Sequence, residues 1–230
     1  MAVKYHLNQS ELKYLITLGG ERSIQEGQEG NPSEEGNMAE AEQIAASRKS
    51  LIEKGYIREG EDQKIQVLTP LVSLIRSMFA YEAIFFTTGI QKDGKKEAFC
   101  FFFHGGNISF VEQQEGEYSL FEVPSLSLAV GMLANRVEIK NEVSENTIQV
   151  SLEGSLQETG LGIERDQIEK QWILMGSSRK DKEEQCMFVI VESTDMQSML
   201  EAGKEEITIS KPGRINFINT CLGWMRKVGK

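Results

Sequence analysis

Four short apolar stretches, rich in Phe, Ile and Val, follow one another between residues 83 and 123. They read AIFFTTG (83–89), EAFCFFFH (97–104), NISFVEQ (107–113) and YSLFEV (118–123). Turn signals divide them: a polar loop around Asp93-Gly94, the pair Gly105-Gly106 and the pair Glu115-Gly116. Short runs bounded by such residues predict strands joined by hairpins. Connections this short cannot carry a parallel crossover, so the pattern predicts an antiparallel meander. Residues 99–103 are bulky at odd and even positions alike, which predicts a strand covered on both faces.

Helical spacing dominates the segment before the meander. Asn8 and Glu11 have the separation of a capping box, Leu12, Leu15 and Ile16 follow at helical intervals, and Gly19-Gly20 supplies a stop. Residues 21–37 are mostly Gly, Glu, Gln, Asn and Ser with almost nothing to bury, and predict a mobile acidic loop. Residues 38–54 return to helix, with Ile44, Ala45, Leu51 and Ile52 as the apolar stripe and Gly55 as the stop. A small hairpin follows, its second strand at 64–68. Thr69 then caps a helix with Pro70 at its first position and Leu71, Leu74, Ile75 and Met78 on one face.

After the meander, Pro124-Ser125 leads into a helix over 126–136, with Leu126, Val130, Leu133 and Val137 inward. From residue 138 the pattern repeats in shorter form. A strand at 147–152 precedes a Gly-containing segment at 159–168 whose last half reads as helix. Strands at 171–176 and 185–192 flank the charged loop 177–184. A brief helix at 195–202 is expected to turn Met196, Met199 and Leu200 inward, before a strand at 206–210. Pro212 opens a final helix striped by Ile215, Ile218, Leu222 and Met225, with Phe217, Cys221 and Trp224 adjoining. The expectation is an α+β protein with a central antiparallel β-sheet, flanking helical regions, an N-terminal winged-helix-like segment and pseudo-twofold halves. Residues 1–82, 83–137 and 138–230 form its three regions within one compact domain.

Charge narrows the partners. The chain has 25 Lys and Arg against 35 Asp and Glu, a net −10, which disfavours nucleic acid and anionic membranes as partners. The helix at 38–54 sets Glu40, Glu42 and Glu53 against Arg48, Lys49 and Lys54, with no basic surplus for phosphates. A winged-helix transcriptional regulator with a C-terminal sensor domain is therefore the alternative reading. No stretch has the apolar length of a membrane span, and the start lacks the apolar core of a secretory signal, so a cytoplasmic protein is expected. Cys100, Cys186 and Cys221 are odd in number and far apart, the pattern of reduced buried thiols and not of zinc ligands or a disulfide framework.

Catalytic patterns do not assemble. His104-Gly105-Gly106 has the look of an esterase oxyanion loop, but no G-x-S-x-G elbow accompanies it, and a His at a strand end before a hairpin turn explains it. Gly160-Leu161-Gly162 lacks the third Gly of a dinucleotide fingerprint, because Arg165 stands there. With His6 and His104 alone, imidazole chemistry has little material. Met196, Met199 and Met225 have the adaptability of a partner surface, and the helical spacing of a core. The expectation is a protein without catalytic residues, metal or cofactor. Lys92, Lys95 and Lys96 stand out from the acidic background and are the candidate partner-binding residues, suited to steering an acidic client.

Several segments resemble the EspG family of type VII secretion chaperones. They are residues 8–18, similar to the family's opening helix, 45–57 (AASRKSLIEKGYI), 67–78 (VLTPLVSLIRSM), and 207–215 (ITISKPGRI) with its pair Gly213-Arg214. The order of elements agrees along nearly the whole chain. The insertion at 21–37 and the abundance of Lys, Glu and Ile depart from the family pattern. The resemblance implies a cytoplasmic, non-catalytic chaperone or adaptor for helical secreted proteins. It further implies client contacts from the sheet and the C-terminal helical part.

Overall fold

The computed structural model describes residues 3–24, 38–60, 64–140, 145–151, 167–181, 185–194, 196–203 and 206–228. The N-terminal elements are β1 (Tyr5–Asn8), α1 (Gln9–Ile24), α2 (Met38–Glu53), β2 (Ile57–Glu59), β3 (Ile65–Val67) and α3 (Thr69–Phe79). The meander follows as β4 (Ala83–Gln91), β5 (Lys96–His104), β6 (Asn107–Gln114) and β7 (Glu117–Glu122), closed by α4 (Leu126–Val137). The rest comprises β8 (Glu145–Ser151), β9 (Ile168–Ser178), β10 (Gln185–Ser193), β11 (Gln197–Ala202), β12 (Glu206–Lys211) and α5 (Arg214–Val228).

Ten strands form one sheet in the order β1-β7-β6-β5-β4-β9-β10-β11-β12-β8, and β2-β3 make a separate hairpin. Every pairing in the large sheet is antiparallel. The pseudo-twofold expectation is met in the topology. Outward from the central β4–β9 pair, each side runs through a four-strand meander. Each then ends on a strand that precedes its meander in the chain, β1 on one side and β8 on the other. A helix follows each meander, α4 after β7 and α5 after β12.

Helices α4 and α5 share one face of the sheet. Val130, Leu133 and Val137 of α4 and Phe217, Cys221, Trp224, Met225 and Val228 of α5 pack there on Phe85, Phe99, Phe101, Phe110, Trp172 and Phe188. The opposite face of the first half is covered by α1, α2 and α3, through Leu12, Leu15, Leu51, Leu71, Leu74 and Ile75 against Phe102, Val111 and Leu120. Strand β5 is thus covered on both sides, as its pattern of bulky residues predicts. Burying each such side chain contributes about 1.5–3 kcal/mol. Two glycines admit the tryptophans: a Cβ on Gly89 would lie 2.6 Å from the Trp172 ring, and one on Gly176 equally close to Cys186 Sγ and the Trp224 ring.

The capping box forms as expected. Asn8 Oδ1 accepts from the Glu11 N–H at 2.9 Å, and Glu11 Oε2 accepts from the Asn8 N–H at 2.7 Å. Helix α1 nevertheless runs through Gly19-Gly20 to Ile24; glycine costs a helix only about 1 kcal/mol and does not by itself end one. Residues 21–24 of the expected acidic loop are therefore helical, and 25–37 lie outside the described residues, as does most of the Gly-containing segment at 159–168. Thr69 is not the cap of α3: Leu68 takes that position without a side-chain bond, Thr69 begins the helix and Pro70 follows it.

The stripes of α2 and α5 also differ from expectation. Ile44 and Ile52 are exposed, and Ser47 and Leu51 face inward, because α2 packs only its C-terminal half. Ile215 is exposed, and Phe217, Cys221 and Trp224 bear on the sheet beside Met225, so the stripe is rotated from the one read in the sequence. The helix expected at 195–202 is strand β11. It lies between β10 and β12, Met199 pairing with Ile190 on one side and Ser210 on the other. Two ladders of backbone hydrogen bonds outweigh the local helix preference of Met, Leu, Glu and Ala.

Candidate partner-binding surface

The β4–β5 hairpin carries the three lysines. Asp93 Oδ1 accepts from the Lys95 N–H at 2.9 Å, and Gly94 takes the positive φ of 83° that the turn requires. The hairpin is tied to β9: the Lys92 N–H donates to the Glu169 carbonyl at 2.8 Å, and Lys92 Nζ meets Glu169 Oε1 at 2.7 Å. Lys92 is therefore neutralised within the molecule. All three lysines are exposed, Lys92 with 54% of its side chain accessible even in its ion pair.

Behind the hairpin lies an apolar strip. Phe86, Thr88 and Ile90 point to the face of β4 opposite α4 and α5, and antiparallel register aligns them with residues of β9 and β10 on that same face. Phe86 pairs with Met175 and Met175 with Met187; Thr88 pairs with Ile173 and Ile173 with Val189. Ile90 is 38%, Met175 44% and Met187 41% exposed. Methionine on an exposed strand gives an unbranched, polarisable surface that adapts to varied shapes. The segments QWILMG and QCMFVIVE are apolar at consecutive positions, so their sequence marks strands without marking a face. What the sequence could not tell was which face of those strands lies opposite the helices. The methionines singled out there went elsewhere: Met199 and Met225 are core.

The other candidates resolve into structural roles. His104 sits at the end of β5 on a shallow cleft shared with Glu82, Asn107, Glu122 and Ser125, and its Nδ1 has no hydrogen-bond partner among the described residues. His6 Nδ1 lies 3.2 Å from Ser119 Oγ on the surface. Among the described residues no group of three or more His, Cys, Asp or Glu is placed to hold a metal. Burial pushes the thiols of Cys100 and Cys186 up to about 12, and that of Cys221 well above its ordinary value. Such thiols stay protonated at neutral pH and make poor nucleophiles.

The winged-helix outline of α1, α2 and the β2–β3 hairpin is present, but the cations at the end of α2 lie beside carboxylates. Arg48 pairs with Glu59 at 2.9 Å, Lys54 with Glu11 at 2.7 Å, and Lys49 stands 4.0 Å from Glu53. A phosphate backbone would have to displace these carboxylates, so the regulator reading finds no support here. No described helix is long and apolar enough to cross a membrane.

No protein-family model matches the chain, and no characterised protein matches it in sequence. Among solved structures the chain is similar to the Mycobacterium tuberculosis type VII secretion system chaperone EspG5, determined in complex with the PE25-PPE41 dimer. The two superpose with a TM-score of 0.67 over 98% of this chain and 96% of that one, at 10% sequence identity. The likeness is one of fold, carried by nearly all of both chains.

Proposed function

We propose that this chain is a non-catalytic chaperone or adaptor that binds a helical secreted protein of a type VII-like secretion system in the cytoplasm. The observation that carries the reading is the end-to-end likeness to EspG5, whose structure holds a PE25-PPE41 dimer. The surface chemistry supports the same reading. A client helix lays its apolar face on the strip of Ile90, Met175 and Met187, and Lys95 and Lys96 at the strip's end attract acidic residues of the client.

The test begins with the protein captured from its native cell and its partners identified by mass spectrometry. A helical secretion substrate is expected, one that remains soluble on co-expression with this chain and aggregates without it. Failure to recover such a substrate overturns the reading. With the client in hand, the pair Lys95→Glu and Lys96→Glu is expected to slow association roughly tenfold at low salt and to flatten its salt dependence. An unchanged association rate removes the hairpin from the surface.

A further inference from the structure

The β4–β5 pair has the hairpin lysines at one end and Glu82 and His104 at the other. Backbone bonds fix this second end. The Glu82 N–H donates to the Phe103 carbonyl at 2.7 Å, and the Val123 N–H to the Ile108 carbonyl at 2.8 Å. Gly105 and Gly106 turn the chain at φ of 56° and 81°, which sets His104 opposite Asn107. A cleft of about 160 Å³ opens there, beside the start of α4.

The lining of the cleft divides by chemistry. Ile108, Val123 and Leu126 supply apolar atoms, and Glu82, His104 and Glu122 supply polar ones. Glu82 already takes one ammonium, that of Lys180, at 3.1 Å. Glu122 is exposed, and its carboxylate joins no ion pair or hydrogen bond among the described residues. His104 Nδ1 is buried without a partner among the described residues, and a buried polar atom left unpaired calls for a partner from outside the fold. Set against Lys180, the two carboxylates leave one negative charge uncompensated. An anion would meet that charge, and at the start of α4 Ser125 Oγ already accepts from the Leu128 N–H at 3.2 Å. A metal ion needs converging ligands, and Glu82, His104 and Glu122 are not placed to hold one together. An organic cation on an apolar stem suits both parts of the lining.

We propose that this cleft binds an alkylammonium or alkylguanidinium group. The charge rests on Glu122, with Glu82 beside it. The methylenes lie on Ile108, Val123 and Leu126, as the stems of long cationic side chains lie on apolar surface. One ligand N–H donates to His104 Nδ1, and the imidazole then carries its own proton on Nε2. The group is the end of a free amine or the side chain of a Lys or Arg in a bound polypeptide, and the two present the same chemistry to the cleft.

The chain has two histidines, His6 and His104, so imidazole proton resonances report on the cleft with a control in the same molecule. Agmatine is the free-amine probe and acetyl-Gly-Arg-Gly-amide the polypeptide probe, both titrated at constant ionic strength. A saturable shift of the His104 resonance, with His6 unmoved, is expected for at least one of them, with a dissociation constant of about millimolar order. The tighter of the two identifies the source of the group. No saturable shift with either probe, or equal shifts of both histidines, overturns the proposal. So does n-butanol, a neutral stem, if it binds as tightly as agmatine. Glu122→Gln is expected to weaken binding about tenfold, and Glu122→Lys, which brings its own ammonium, to abolish it, both with the wild-type melting temperature. Unchanged affinity in the folded Glu122→Lys variant also overturns the proposal.

Discussion

Glu11 is completely buried, and its carboxylate ties three segments together. It accepts from the Asn8 N–H at 2.7 Å, from Ser50 Oγ at 2.6 Å and from Lys54 Nζ at 2.7 Å. Burial alone would raise its pKa, but the bonds from Lys54, Ser50 and Asn8 outweigh it and hold the value below the ordinary 4.5. Glu11→Gln keeps the shape and removes the charge. Breaking a fully buried ion pair costs about 3–5 kcal/mol, but the Lys54 side chain is 35% exposed and can recover water. A loss of about 2 kcal/mol is expected, near the value of one hydrogen bond to a charged group. For a chain of this length that lowers the melting temperature by about 4–8 °C. The pH dependence fixes the cause. A carboxylate whose folded pKa is depressed contributes stability that is fully present above its unfolded value and is lost as pH falls through the folded one. The difference between wild type and Glu11→Gln should therefore be constant near neutrality and shrink as pH falls below 4.5. Chemical denaturation at a series of pH values measures it. A variant that melts with the wild type, or a difference that stays constant into acid, refutes the reasoning.

Gly176→Ala drives a Cβ to within 2.6 Å of Cys186 Sγ and the Trp224 ring. Overpacking of this kind is expected to cost about 1–3 kcal/mol, with a changed Trp fluorescence spectrum; wild-type stability would show that α5 moves freely off the sheet. Glu115 holds φ at 51° in the β6–β7 turn, next to Gly116 at 84°. Asn-Gly is the favoured pair for two consecutive positive φ values, so Glu115→Asn should stabilise by about 0.5–1 kcal/mol, and a lowered denaturation midpoint would contradict this.

The meander was legible because each strand is bounded by residues that make only turns and because its apolar content is too dense for a surface helix. The capping box of Asn8 and Glu11 was legible for the same local reason, since both partners lie within four residues of chain. What escaped depended on distant partners. Strand β1 has four residues, too few for periodicity to register, and exists because β7 offers a ladder from Glu117 to Leu120. Strand β11 carries good helix formers and is extended because β10 and β12 flank it. The true stripe of α5 is set by where Gly176 leaves room for Trp224, which no spacing within the helix records. The lysines of the candidate surface were visible as charge, yet only the fold reveals that Lys92 is ion-paired with Glu169, 77 residues away in the chain.

The two halves share a plan, and their difference locates the proposed binding surface. Between β1 and β4 the chain inserts α1, α2, the β2–β3 hairpin and α3, and these cover one face of the first half with a second core. Between β8 and β9 lie residues 152–167, of which 152–166 are outside the described residues. Among the described residues no helix covers the corresponding face of β9 and β10, and Met175 and Met187 there are more than two-fifths exposed. Exposed side chains contribute little to folding, so Met175→Glu and Met187→Glu should each change stability by no more than about 0.5 kcal/mol. On a client-binding face the same substitutions bury a carboxylate without a partner, which is costly. The double variant is expected to keep the wild-type melting temperature and to lose its client in a binding titration. If affinity survives in a folded double variant, the client lies elsewhere and the strip is only uncovered surface. If the melting temperature falls sharply, the methionines belong to the core, and the contrast between the two halves fails with them.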